Sequence, residues 1–143
     1  MKISLNLKVE IVKIELFDDI CPITCRNFRE LCEGHKRKDG HKISYTNTEF
    51  DRIVKGQFIQ GGDIRKHIYG HESVSCSIFE EGVFNDESFA LKHSEPGMLG
   101  MCKKNGLPNT NECQFYITLA PLSYMDKTNV VFGRIIEGMS IIN

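Results

Sequence analysis

Phe50-Asp51-Arg52-Ile53-Val54, followed after Lys55-Gly56 by Gln57-Phe58-Ile59-Gln60-Gly61-Gly62-Asp63, is the stretch that decides the fold. The first run alternates in the manner of a strand, where residues two apart share a face. Phe50, Arg52 and Val54 therefore line one face. A glutamine and a glycine pair follow the arginine within hydrogen-bonding reach along the chain. A guanidinium set among apolar neighbours keeps its charge at any working pH and presents rigid donors. A lone arginine on such a strand is ordinarily a solvated edge residue. What it does depends on the rest of the chain.

The chain has 143 residues, 41% of them hydrophobic, which suits one globular domain with a real core over residues 1–143. A net charge of −1 creates no whole-chain field for nucleic acid or an anionic membrane, so neither is expected as a partner. The one basic cluster, His35 to Lys42, reads as a solvated loop. Charged residues interrupt every apolar stretch near the start, so no signal peptide is expected. The six cysteines contain no Cys-x-x-Cys pair, which points to reduced thiols and a cytoplasmic or nuclear setting.

Along the first 17 residues the alternation is clear but changes phase. Ile3, Leu5, Leu7, Val9 and Ile11 are apolar at odd positions, whereas from Val12 the apolar set is Val12, Ile14 and Leu16. Such a slip needs a bulge, bend or turn. Pro22 suits the first position of a helix, with Asp18 and Asp19 before it; Thr24, Phe28, Leu31 and Cys32 recur at helical spacing, and Gly34 ends it. Cys25 and Cys32 read as small core residues of that helix. Residues 65–84 read as irregular. Strands are expected around Met98–Cys102, Gln114–Thr118 and Val130–Ile135. Short strands, glycine punctuation and one early helix indicate a mainly β barrel or sandwich.

Several ordered blocks resemble the cyclophilins, the peptidyl-prolyl cis-trans isomerases. They are Val12–Phe17 with Pro22 and Asn27-Phe28, then Phe50–Val54, Phe58–Asp63, Glu87–His93 with Pro96–Met101, Pro108–Asn111 leading to Gln114–Thr118, and Asn129–Arg134 with Glu137–Met139. The resemblance implies a closed or nearly closed eight-stranded antiparallel barrel with helices capping its ends. It implies rotation about X–Pro bonds as the activity and proline-containing peptides as partners. No metal and no cofactor is called for. Arg52 corresponds to the catalytic arginine and Gln60 to the glutamine that orients it. Gln57, Phe58, Phe115, Tyr116 and Met125 map to the apolar pocket or its floor, with Phe115 open equally to plain core packing. Cys102 and Lys103 map to a stretch whose backbone meets the peptide, Gln114 to the side of the groove, and Asn111 to the loop above it.

The chain departs from the family pattern at several points. Gln57 stands where a pocket phenylalanine is usual and Asn129 where histidine is usual. Tyr124 stands where many members carry tryptophan, which is expected to weaken cyclosporin binding. The loop Lys103–Leu107 is longer than usual. No turn residue marks the N-terminal hairpin of the family. The chain also stops where the second helix opens, so a truncated or spliced domain with an open barrel edge and marginal stability is expected. These departures keep a second reading open, a proline-peptide binding module with weak or no turnover. A metal site from His67, His71 and Cys76 is set aside, because His-x₃-His works on a helix and Tyr69-Gly70 favours a loop.

Overall fold

The computed structural model describes residues 2–5, 8–38, 40–65 and 76–142, with 2–5 and 8 as backbone only. Strands β1 (Lys2–Leu5) and β2 (Lys8–Ile11) pair antiparallel, Leu5 opposite Lys8. The hairpin that the missing turn residue argued against is therefore present, and the two residues joining its strands lie outside the described set. The phase slip falls at Val12, a fully buried residue between β2 and β3 (Lys13–Leu16). Val9 and Ile11 before it are exposed, while Ile14 and Leu16 after it pack against the core. A single buried residue thus absorbs the change of face.

Six strands form the main sheet, in the order β3, β10 (Val131–Glu137), β8 (Met98–Met101), β9 (Phe115–Thr118), β7 (Phe58–Gly61) and β6 (Arg52–Val54), each pair antiparallel. The short strands β4 (His35–Lys36) and β5 (Lys42–Ile43) pair separately. Among the described residues β3 and β6 remain the two edges, so the barrel is nearly closed rather than closed. A glycine at Gly62 is required by geometry. Its φ is +84°, and a Cβ there would lie 2.9 Å from the Phe115 ring.

Helix α1 (Pro22–Glu33) has proline at its first position and Gly34 at its end, where the Gly34 N–H donates to Glu30 O. Thr24, Cys25, Asn27, Phe28 and Leu31 form its buried face. Cys32, expected in the core, is exposed, because it falls just outside that stripe. Phe28 meets Phe115 edge-on at 5.1 Å and Phe132 at 5.2 Å. A second helix, α2 (Met139–Ile142), opens after β10 as the pattern predicted.

The N-terminus of α1 is held by a residue remote in sequence. Glu87 accepts hydrogen bonds from the Ile23 N–H (2.9 Å), the Thr24 N–H (2.8 Å) and the Thr24 hydroxyl (2.8 Å). A carboxylate there satisfies orphan donors and complements the helix dipole. Asp18, the nearer acid, instead pairs with Arg29 at 2.8 Å. Glu87→Ala is therefore expected to destabilise the fold by about 1–2 kcal/mol, since a cap and a charge are lost together. Urea unfolding measures this, and a midpoint equal to wild type would show the cap to be dispensable.

Candidate active site

Strands β6, β7 and β9 bring most of the expected residues to one face. Arg52 on β6 lies directly across from Gln60 on β7, and Gln60 across from Tyr116 on β9. One step along, Val54 faces Phe58 and Phe58 faces Thr118. The period of two then puts Arg52, Gln60, Phe58 and Tyr116 on the same side. The Arg52 guanidinium sits 5.7 Å over the Phe58 ring, and the Phe58 ring lies 5.7 Å from that of Tyr116. Arg52 itself is exposed, so its charge is ready for a ligand.

Gln60 is half-buried, and its amide nitrogen donates to Gln114 Oε1 at 2.9 Å. Register puts it across from Arg52, while its side chain bonds to Gln114, the residue entering β9. Gln57 closes the β6–β7 turn, its N–H donating to Val54 O, and its side-chain oxygen accepts from the Tyr124 hydroxyl at 2.5 Å. Tyr124 and Met125 belong to a 3₁₀ turn, Ser123–Met125, and Tyr124 is mostly exposed. The Cys102 N–H donates to Gln114 O at 3.1 Å. Burial pushes the Cys102 thiol well above its usual range, while the Arg52 charge pulls weakly the other way. Cys102 is thus a neutral wall rather than a nucleophile.

Lys103 is tied down. Its ammonium lies 2.9 Å from Asp86 Oδ2 and 5.5 Å over the Phe89 ring. Asn111 completes this anchor by donating to Asp86 Oδ1 (2.9 Å) and Phe84 O (3.0 Å). The longer loop is thereby pinned, with a 3₁₀ turn at Lys104–Gly106. Asn129 donates to Met101 O at 3.1 Å, so it clamps the end of β8 instead of offering a ring to the groove. A cleft of about 350 Å³ continues from Gln114 past Cys102 and Lys104 to Arg65 and Glu112.

Phe115 does not join this face. It is buried on the α1 side, where Phe28, Tyr45 and Phe50 surround it at 5.1–6.0 Å. Of its two readings, core packing is the one the structure supports. The fully buried Tyr116 beside it is the aromatic under Phe58. Its hydroxyl lies 2.5 Å from His93 Nε2, and His93 Nδ1 lies 2.8 Å from Asp126 Oδ1. Neither His93 nor Asp126 was singled out in the sequence. A histidine between aliphatic and polar neighbours carries no local mark of what it touches. His67 and His71 lie outside the described residues. No group of three metal-ligating side chains occurs among the described residues, and no helix among them is long and apolar enough to cross a membrane.

The whole chain, residues 1–143, matches the family described as cyclophilin type peptidyl-prolyl cis-trans isomerase/CLD. The chain belongs to the cyclophilins. Among relatives of this cyclophilin, it is 42% identical over 132 residues to peptidyl-prolyl cis-trans isomerase CYP22 of Arabidopsis thaliana, covering 87% of the chain and 60% of that protein. It is 44% identical over 128 residues to peptidyl-prolyl cis-trans isomerase 11 of Caenorhabditis elegans, covering 90% of the chain and 67% of that protein. The chain thus spans about three fifths to two thirds of these relatives' lengths. A crystal structure of a cyclophilin type isomerase from Cryptosporidium parvum superimposes with a TM-score of 0.77 at 35% identity, covering 99% of this chain and 80% of that one. The same protein has been crystallised in the presence of the dipeptide Ala-Pro. The antiparallel, β-rich architecture agrees with that superposition.

Proposed function

We propose that the face built by Arg52, Phe58, Gln60 and Tyr116 turns over X–Pro bonds. Rotation about such a bond faces a barrier of about 18–20 kcal/mol, because amide resonance is lost midway. Left alone, the exchange takes tens to hundreds of seconds. No bond to carbon breaks, so neither a nucleophile nor a base is required. What helps is a donor that meets the prolyl nitrogen once its lone pair localises. That contact exists only in the transition state and so raises turnover rather than affinity alone.

The single observation that carries this reading is the stack of Arg52 over Phe58 over Tyr116. It puts a permanent, multi-donor cation beside an apolar aromatic surface on which a proline ring can rest. Gln60, fixed by Gln114, is available to the peptide backbone, and Cys102, whose N–H donates to Gln114 O, borders the same glutamine. Met125 and Tyr124 form the far wall. An acceleration of about 10⁵-fold corresponds to roughly 7 kcal/mol, to which the arginine contact and the desolvated seat both contribute. The test is cis/trans exchange of an Ala-Pro peptide followed by NMR exchange spectroscopy with catalytic amounts of protein. Line broadening or exchange peaks that scale with protein concentration are expected. Binding without exchange would turn the assignment into that of a proline-peptide binding module.

Two finer points follow from the wall residues. With Tyr124 held by Gln57 in place of an indole, cyclosporin binds less tightly than it would to a tryptophan-bearing site. Gln57→Phe restores apolar surface at the cost of one exposed hydrogen bond, so Ala-Pro peptide affinity is expected to rise about fivefold, near 1 kcal/mol. Isothermal titration reads this out, and a weaker complex would mean the Gln57–Tyr124 contact organises the wall. All six cysteines are free thiols, which supports residence in a reducing compartment such as the cytoplasm.

A further inference from the structure

Tyr116 poses a physical problem for a proline seat. A phenol under an apolar floor brings a hydroxyl that must be hydrogen-bonded if buried. If that hydroxyl turned towards the groove it would hold water where the seat has to be dry. Three features take it the other way. His93 Nε2 stands 2.5 Å from the Tyr116 hydroxyl, with the two rings nearly parallel at 16°. Asp126 Oδ1 lies 2.8 Å from His93 Nδ1 and 2.7 Å from the His93 main-chain nitrogen. Position 100 on β8 is a glycine, and a Cβ there would sit 2.1 Å from the Tyr116 oxygen. The space the hydroxyl occupies exists only because β8 carries no side chain at that point.

The chemistry of the three groups sets the direction of each bond. A carboxylate only accepts, so His93 carries its proton on Nδ1 and donates to Asp126. The hydrogen bonds from the His93 main chain and then from its ring hold the Asp126 carboxyl below its usual range, which keeps it ionised near neutrality. Nε2 is then left with a lone pair and accepts from the Tyr116 O–H. The tautomer of His93 is thus fixed by its outer partner, as happens wherever an imidazole sits between a carboxylate and a hydroxyl. Asp126 also immediately follows Met125, and the Leu122 N–H donates to His93 O at 2.9 Å. The same histidine therefore ties the wall of the groove to its floor.

We propose that Asp126 and His93 are positioning residues for the isomerase site, acting through Tyr116: they hold its hydroxyl on the buried side, so that only its ring lies beneath Phe58 and the proline seat. The inference rests on the isomerase reading of the Arg52 face. It gives Tyr116 the role of an apolar floor despite its polar atom, and it assigns to the turn after Met125 an orienting function that none of its exposed residues would show.

A double-mutant cycle on the full chain tests it, with Ala-Pro peptide exchange as the activity and the His93 tautomer, read by long-range ¹H–¹⁵N correlation, as the second readout. Asp126→Ala is the first variant, because its side chain is only partly buried, outside the apolar core, and its loss leaves that core filled. It is expected to lower kcat/KM about tenfold and to abolish the single Nδ1–H tautomer. Tyr116→Phe removes the hydroxyl and keeps the ring; in that background Asp126→Ala is expected to change kcat/KM by no more than about twofold. Equal losses in both backgrounds would make Asp126 a loop tie with no route through Tyr116. No loss in either, or an Nε2–H tautomer in the wild type, would overturn the proposal outright. A wild-type protein that neither exchanges nor binds the peptide would instead refute the isomerase reading on which the proposal stands.

Discussion

Arg52→Ala is expected to lower kcat/KM for an Ala-Pro peptide by tenfold or more, about 1.4 kcal/mol or more of transition-state stabilisation. The protein should remain folded. Arg52 is exposed on an edge strand, and its guanidinium lies over the Phe58 ring. The loss should appear mainly in kcat, since a donor to a localised nitrogen lone pair has no counterpart in the ground state. Arg52→Lys keeps the charge but loses the planar fork, so it should recover only part of the rate. Circular dichroism and peptide titration accompany the kinetics. Wild-type turnover in a well-folded Arg52→Ala variant would remove this residue from the mechanism and leave the stack without its catalytic group.

The largest effect on stability is expected at Arg65. Its guanidinium bridges two carboxylates, Asp63 at 3.0 Å and Glu112 at 2.9 Å, and all three side chains are more than nine-tenths buried. Asp63 closes the Gly-Gly-Asp run after β7, and Glu112 stands two residues before the site glutamine. The Glu112 main-chain oxygen accepts from Asn27 of α1 at 2.8 Å. Arg65→Ala leaves two carboxylates without their shared cation in a low-dielectric site, a change that costs about 3–5 kcal/mol. By contrast, Lys13→Ala breaks an ion pair with Glu137 that is mostly solvated, and should cost less than about 1 kcal/mol. Urea unfolding of the two variants side by side distinguishes them. Similar small losses would mean water reaches the Arg65 cluster, which lines the cleft beside Gln114.

The order of the motifs made the family legible and, through it, the partnership of Arg52 with Gln60; that the two face each other across a hairpin was shown by the structure. Helix α1 was equally readable, since a proline start, a glycine stop and a helical stripe are all local signals. The N-terminal hairpin was not, because its strands pair without a glycine turn and pairing depends on what the strands lie against. Two acids, Asp18 and Asp19, precede the helix in sequence, yet the carboxylate on its first N–H groups is Glu87, 63 residues from Thr24. No local pattern carries a contact of that span.

By itself, then, the sequence determined the chemistry available: one always-charged arginine with a glutamine shortly after it, near several aromatics, with thiols free of any pairing motif. It also determined that Phe115 and Tyr116 point to opposite faces, because side chains alternate along any strand. Which of the two faces the core was decided only by the tertiary structure. Helix α1 packs Phe28 against one side of the sheet and thereby takes Phe115, leaving Tyr116 beneath Phe58. The same packing brought His93 and Asp126 together across 33 positions and made Gly100 the gap that receives a hydroxyl. Alternation is a property of the backbone and can be counted; the choice of face is a property of what buries it, and that is settled by side chains far apart in the chain.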